Sequence, residues 1–303
     1  MDLEKHILTL KIIALVFCGI FLLHVSGDTS AYDDEISTLV HHEVNSISHP
    51  VLIQIANVAA FSDYTTVANV NVPTSRGEQK DKTASFIKLP EVAEYIDFYA
   101  HLRGERLIAL TFDDGPSLKI TPIILDVLYE EDAVATFFVI GNRVSTHQQV
   151  VNRAAAEGHQ IANHNYTHRA LTRMSQDEAN ISITLASDVI EYVIGERPTV
   201  LRPPYGLHNE TVRQAADLPI VLWSIDPRDW EYRDPEIVYR NVMLNPQDGD
   251  IILLHDIHLS TARAVGNIVR GLRQQGFVLV TVDELIAVRG EALAGNVYRY
   301  FRP

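Results

Sequence analysis

Two aspartates stand side by side at the end of an apolar run in "LTFDDGPS", Leu110 to Ser117. On its own Asp-Gly-Pro is ordinary turn chemistry, since Asp and Gly favour tight turns and Pro fixes φ. Further along, His164 and His168 are four residues apart. On a helical turn that spacing puts both imidazoles on one side, near enough to share a cation. With a carboxylate from another segment they make a His, His, Asp set that leaves room for water, the pattern of a catalytic divalent-metal site. The aspartate pair then divides its work. One carboxylate ligates the ion, whose charge offsets the repulsion between the two, and the other accepts a proton from the bound water.

A proton donor is also needed if an amine is to leave. Leu253 and His255 in "LLHDIH" are two apart and so share one face of a strand. A histidine there can protonate a leaving amine while Leu253 receives a methyl group, although a hydrogen-bonded core histidine fits the same residues. His258 has no clear strand position and receives no role.

These side chains need elements to hold them. After Arg106, short apolar runs alternate with segments of helical period: "RLIALTF", "VATFFVIG", "HQIAN", "TVLRP", "IVLWSI", "DIILLHD" and "FVLVTV". One helix is expected over Ser175 to Ile194, opened by a Ser175…Glu178 capping box and carrying Ile181, Leu185 and Val189 at helical spacing. Seven strands alternating with helices imply parallel β/α units, and their lack of polar alternation implies cover on both faces, in a barrel or a doubly wound sheet. The reactive groups fall at the C-terminal ends of the runs: Asp113 and Asp114, His164 and His168, Arg202 to Tyr205, Asp226 and Asp229, and His255. In a parallel barrel that edge is one face of the molecule, where ligand sites form.

Taken in order, "TFDDGP", His164-x-x-x-His168, "RPPYG", "DPRDW" and "LLHD" resemble the five motifs of the polysaccharide deacetylases, also called carbohydrate esterase family four or the NodB homology domain. The resemblance runs from about Arg106 to Val288. It implies an α/β fold, a distorted (β/α)7-type barrel of parallel strands, and a metal-dependent hydrolase that removes acetyl groups from N-acetylated sugars. By the same resemblance Asp114, His164 and His168 are metal ligands, Asp113 is the general base and His255 the general acid. Arg202 tethers Asp113, Asp229 orients His255, the backbone N–H of Tyr205 faces the oxyanion, and Trp230 and Leu253 line the acetyl pocket. The ion expected is zinc, with cobalt or nickel compatible with the same ligands. Asn165 departs from the usual Ser or Thr, a change that touches hydrogen bonding around the ligands and removes none of them.

Composition narrows the partners. With 25 basic against 39 acidic residues the net charge is -14, which repels a phosphate backbone and argues against nucleic acid. The N-terminus carries an apolar stretch from Ile12 to Leu23 behind Lys5 and Lys11, followed by small residues Ser26 and Gly27. Residues 1–27 therefore read as a signal peptide or a membrane anchor, and the chain as exported: secreted, periplasmic or attached to the cell envelope. Cys18, the only cysteine, lies in that segment, so the exported part has no internal disulfide. Residues 28–102 read as an extension of unknown fold, in which His41 and His42 look like surface residues. Residues 103–290 read as the catalytic domain and 291–303 as a tail. The expected substrate is an extracytoplasmic N-acetylated glycan, peptidoglycan or a chitin-like polymer. An O-acetyl esterase acting on a polymer such as xylan and a non-catalytic glycan-binding protein are the alternatives.

Overall fold

The computed structural model describes residues 99–303. The leader or anchor expected over residues 1–27, with Cys18, and His41 and His42 of the extension lie outside the described residues. Among the described residues no helix is long and apolar enough to cross a membrane.

The strands are β1 (Arg106–Asp113), β2 (Thr136–Val139), β3 (Gln160–Asn163), β4 (Ile220–Val221), β5 (Asp250–His255), β6 (Phe277–Val280) and β7 (Val297–Tyr298). The helices are α1 (Thr121–Glu130), α2 (Gly141–Thr146), α3 (Gln148–Ala156), α4 (Gln176–Ile194), α5 (Glu210–Ala215), α6 (Asp229–Tyr232), α7 (Pro235–Met243), α8 (Leu259–Gln274) and α9 (Val282–Arg289). β1 is buried from Leu107 to Asp113, with neither face turned to water, as the unbroken apolar run requires.

All named strand pairs are parallel. β1 lies beside β5 along most of its length, while β2 takes the other side of its C-terminal half and β6 that side of its N-terminal half. β3 adds to β2. From there the ring is closed by single bridges, Asn163 to Leu201, Leu201 to Ile220, and Ile225 to Ile252 on β5. The result is the expected parallel barrel in distorted form.

The distortion falls on the fourth and fifth apolar runs. "TVLRP" supplies one bridging residue, Leu201, in place of a strand, because Pro203 and Pro204 have no N–H to extend a ladder. "IVLWSI" pairs regularly only at Ile220 and Val221, where β7 joins it. The last residues are thus built into the same unit: Phe301 is buried and its backbone N–H donates to Gly249 O at 2.8 Å, while the Gly249 N–H donates to Leu107 O at 2.8 Å.

α4 begins at the expected capping box and ends on Gly195 with φ 79°, a left-handed conformation that glycine adopts without steric cost. Its buried face differs from the one expected. Ile181 and Leu185 are exposed, and the helix buries Ala179, Ile183, Ala186, Ser187 and Ile190. The small residues let α4 approach β3, where the Asn163 amide donates to Ile183 O at 2.9 Å and to Ser187 Oγ at 2.8 Å. A buried amide needs those partners, so the polar contact fixes which stripe faces inward.

Candidate active site

The C-terminal ends of β1, β3 and β5 meet at one edge. Asp113 is the register partner of His255 across the β1–β5 ladder. Asp114 follows with φ 74°, a conformation that Asp tolerates better than most side chains, and turns its carboxylate toward the histidines. Its Oδ1 lies 3.4 Å from His164 Nε2 and 2.9 Å from His168 Nε2. Burial disfavours the charge on Asp114, but hydrogen bonds and attraction from the two imidazoles outweigh it and hold the carboxyl well below the usual range.

The histidine pair is not carried on a helical turn, as its spacing suggested. Residues 164–168 form a loop in which Asn165 and His168 are left-handed, with φ 67° and 58°. Asn165 organises that loop: its amide donates to Arg169 O at 2.9 Å, and its Oδ1 accepts from Tyr166 N–H and from the Ser182 hydroxyl. The departure at this position thus supplies hydrogen bonds around the pair.

His164 is buried, and its Nδ1 lies 2.6 Å from Arg202 O. A carbonyl accepts only, so Nδ1 carries a proton and Nε2 is the nitrogen turned toward Asp114. Among the described residues, Asp114, His164 and His168 are the set whose ligand atoms lie within 4.8 Å of one another. Two imidazole nitrogens and one carboxylate, with His164 oriented through Nδ1, fit a first-row divalent cation with positions left open for other ligands.

Asp113 is held from the opposite side. Its Oδ1 accepts from Arg202 Nη1 at 2.7 Å, and its Oδ2 lies 3.8 Å from His164 Nε2. Arg202 is fully buried. It spends its donors on Asp113, Thr111 Oγ1 at 2.8 Å, Val221 O at 2.9 Å and Leu222 O at 2.7 Å, with the guanidinium 3.9 Å above the Phe138 ring. Burial lowers its pKa and Asp113 opposes that shift. A buried guanidinium is tolerated only with such partners.

Facing them, the His255 ring Nδ1 lies 2.8 Å from Asp229 Oδ1, and the His255 backbone N–H donates to Asp229 Oδ2 at 2.8 Å. Burial works against protonation of the imidazole. Asp229, helped by Asp113 and Asp114, prevails and pushes its pKa up to about 9.

Tyr205 has φ 63° in the turn after Arg202, and its ring meets His168 edge-on with centroids 4.7 Å apart. Trp230 follows Asp229 on α6 and is exposed at the rim; Leu253 is buried two residues before His255 on β5. Asp226 is exposed and caps a local turn by accepting from Arg228 N–H at 2.8 Å, so it takes no place in the cluster.

Three residues that sequence reasoning passed over support the site. Thr111 precedes Asp113 by two on β1 and lies between Arg202 and Ile252 O, to which it donates at 2.6 Å. Thr261 donates to Asp229 Oδ2 at 2.6 Å. Asp256, fully buried, accepts from Thr121 Oγ1 at 2.5 Å, and its carboxylate packs where any β-carbon on Gly115 would sit. Burial raises the Asp256 pKa to about 7. The period of two places Thr111 beside Asp113 in advance; nothing local in the sequence pairs Asp256 with Gly115.

Comparison with known proteins covers the same span. Residues 102–219 match the family model described as polysaccharide deacetylase. A peptidoglycan-N-acetylglucosamine deacetylase, PgdA, of Listeria monocytogenes is 40% identical over 201 residues, 66% of this chain and 42% of that protein. The chain thus spans less than half the length of that relative. A peptidoglycan-N-acetylglucosamine deacetylase of Bacillus cereus is 38% identical over 191 residues, 60% of this chain and 89% of that protein. Among solved structures, a family 4 acetyl xylan esterase from Clostridium thermocellum, in complex with a cobalt ion, superposes with TM-score 0.62 at 32% identity, covering 64% of this chain and 98% of that one. Fold, ordered strand-end side chains and relatives agree over one stretch, and the chain belongs to the polysaccharide deacetylase family.

Proposed function

We propose that the protein is a metal-dependent deacetylase that hydrolyses N-acetyl groups on the amino sugars of an extracytoplasmic polysaccharide, peptidoglycan or a chitin-like polymer. The observation that carries this reading is the convergence of the Asp114–His164–His168 set with Asp113 and the His255–Asp229 pair at one strand edge. Relatives named for peptidoglycan deacetylation support the substrate class. Action on such a polymer requires export, in keeping with the apolar segment that precedes Asp28.

Asp114, His164 and His168 would hold the cation, for which zinc suits the ligands and cobalt or nickel would also serve. When bound, it supplies Lewis-acid polarisation of the acetyl carbonyl and a water of lowered pKa. Asp113, fixed through Oδ1 by Arg202, has Oδ2 left to accept a proton from the attacking water. The backbone N–H of Tyr205, presented by a left-handed turn, donates to the developing oxyanion. His255 is protonated at neutral pH with Nδ1 engaged by Asp229, so Nε2–H is the donor to the leaving nitrogen. The carbon–nitrogen bond breaks, a carbon–oxygen bond forms, and acetate and a free amine leave. Leu253 and Trp230 would bound the acetyl group from the barrel interior and the rim.

The raised pKa of His255 favours amide over ester hydrolysis, because an amine is the leaving group that most needs a proton. The distinguishing experiment measures acetate release from N-acetylglucosamine oligomers and from acetylated xylan. Faster release from the oligomers is expected; release from xylan alone would assign the O-acetyl esterase reading, and release from neither would leave a glycan-binding role.

A further inference from the structure

We propose that Arg143 is a positioning residue for the cation site: it pins the turn that carries Asp114 to the segment that also holds the histidine loop, so that the three ligand atoms are gathered before an ion binds. This rests on the reading of Asp114, His164 and His168 as ligands of one cation.

β2 lies between β1 and β3, and past its last residues the chain keeps hold of both neighbours. Toward the histidines, Val139 O accepts from His164 N–H, Gly141 N–H donates to Asn165 O, and Asn142 N–H donates to Tyr166 O, each at 3.0 Å. Gly141 and Asn142 open α2, where backbone N–H groups have no acceptor within the helix and are available to the loop. Toward the aspartates, Ile140 N–H donates to Gly115 O at 2.9 Å and Arg143 Nη1 donates to Asp114 O at 2.6 Å. Residues 139–143 thus join the turn that carries one ligand to the loop that carries the other two.

Arg143 is the side-chain link in that set. β1 ends at Asp113, and the left-handed backbone of Asp114, φ 74°, takes the next carbonyl out of the ladder. A carbonyl there needs a donor from elsewhere, and the guanidinium supplies it. Without that bond the peptide after Asp114 is freer to turn, and the carboxylate on the same residue loses its aim at His168 Nε2, 2.9 Å away, and His164 Nε2, 3.4 Å away. The base from which Arg143 reaches is itself fixed. A β-carbon on Gly141 would come within 2.7 Å of the Tyr166 ring and 2.9 Å of Ala186 Cα, so α2 sits directly on the histidine loop and on α4.

Among the described residues Arg143 has no carboxylate within ion-pair distance; its bond to the Asp114 carbonyl is to a neutral group. Its positive charge therefore opposes an incoming cation. Position and charge act on metal affinity with opposite signs, and a titration separates them: removing the side chain weakens binding if it positions Asp114 and tightens binding if it acts only as a charge.

The test titrates zinc into the metal-free full chain against a competing chromophoric chelator. Arg143→Met should raise the zinc dissociation constant by about 10- to 100-fold, and Arg143→Lys, which keeps a donor, should recover part of the loss. Equal or tighter binding in Arg143→Met overturns the role. A cycle with Asp114→Ala separates aim from general damage: once the ligand is gone, Arg143→Met should add less than about twofold, and a full second loss overturns the role. Should Arg143→Met fail to fold, Arg143→Gln decides, since it is neutral and keeps an N–H; weaker binding than the wild type supports the role, and equal or tighter binding overturns it. A wild type that takes up no zinc sinks the ligand reading and the positioning role together, whereas uptake that Arg143→Met matches sinks the positioning role alone.

Discussion

Asp113 and His255 occupy partner positions on adjacent parallel strands, so the backbone ladder of β1 and β5 sets the separation between the proposed base and the proposed acid. Neighbouring strands are tied by regular hydrogen bonds, and the two groups keep their spacing without help from loops. Each is then trimmed by its own buried partner, Arg202 for Asp113 and Asp229 for His255.

Removing the donor should expose its role. His255→Ala is expected to lower the rate of amide hydrolysis by about 10²- to 10⁴-fold, with a smaller loss on an acetyl ester. Steady-state kinetics on N-acetylglucosamine oligomers and on acetylated xylan check this; equal losses would assign His255 a structural role.

The Asp229–His255 bond gives a pH signature. His255 must be protonated to donate, so activity should fall as pH rises through about 9. Asp229→Asn withdraws the charge that raises this value, and the alkaline limb should move down toward the ordinary 6.5 of an imidazole. The kcat/KM profile against pH reads it directly. The same pair contributes stability that is fully present below 6.5 and is lost as pH rises through about 9.

Arg202 is the most heavily committed side chain at the site. Arg202→Met leaves Asp113 as a buried carboxylate without a counter-charge and frees two carbonyls and a hydroxyl from their donor. The expected cost is about 3–5 kcal/mol, read as a lowered denaturation midpoint. Lysine cannot serve the same four acceptors in a plane, so Arg202→Lys should recover only part.

Much of this arrangement is legible in the sequence, and the reasons differ by residue. The apolar run before Asp113, one of several alternating with helical segments, reads as a buried parallel strand with the aspartates at its end. The ordered motifs carried Arg202 and Asp229 to their partners. Local readings failed where tertiary contact overrode them. The His164–His168 pair converges through left-handed residues instead of a helical turn, α4 turns its small residues inward to meet Asn163, and Pro203 and Pro204 reduce an apolar run to a single bridging residue. β7 arises from a short stretch with no strand pattern and is recognisable only through its pairing with β4.

Asp256 tests a contact that no local pattern foretold. As an acid with a raised pKa, it contributes stability that is fully present below 3.8 and is lost as pH rises through about 7. Asp256→Asn keeps the shape and removes the ionisation. Its stability relative to the wild type should therefore increase between pH 5 and pH 8 in chemical denaturation, by roughly 1 kcal/mol or more. A constant difference across that range would place the charge elsewhere.

The ligand set can be tested apart from turnover. His168→Ala and Asp114→Ala should each reduce bound metal from one equivalent to a small fraction of it, by elemental analysis, with little change in the folded baseline of Asp114→Ala because its carboxylate lies at the edge of the core.

Acetate release from N-acetylglucosamine oligomers before and after chelation, and after zinc is returned, tests the central claim most directly. Release that disappears with the chelator and is restored by the ion is the predicted result; unchanged release from the metal-stripped protein would contradict it.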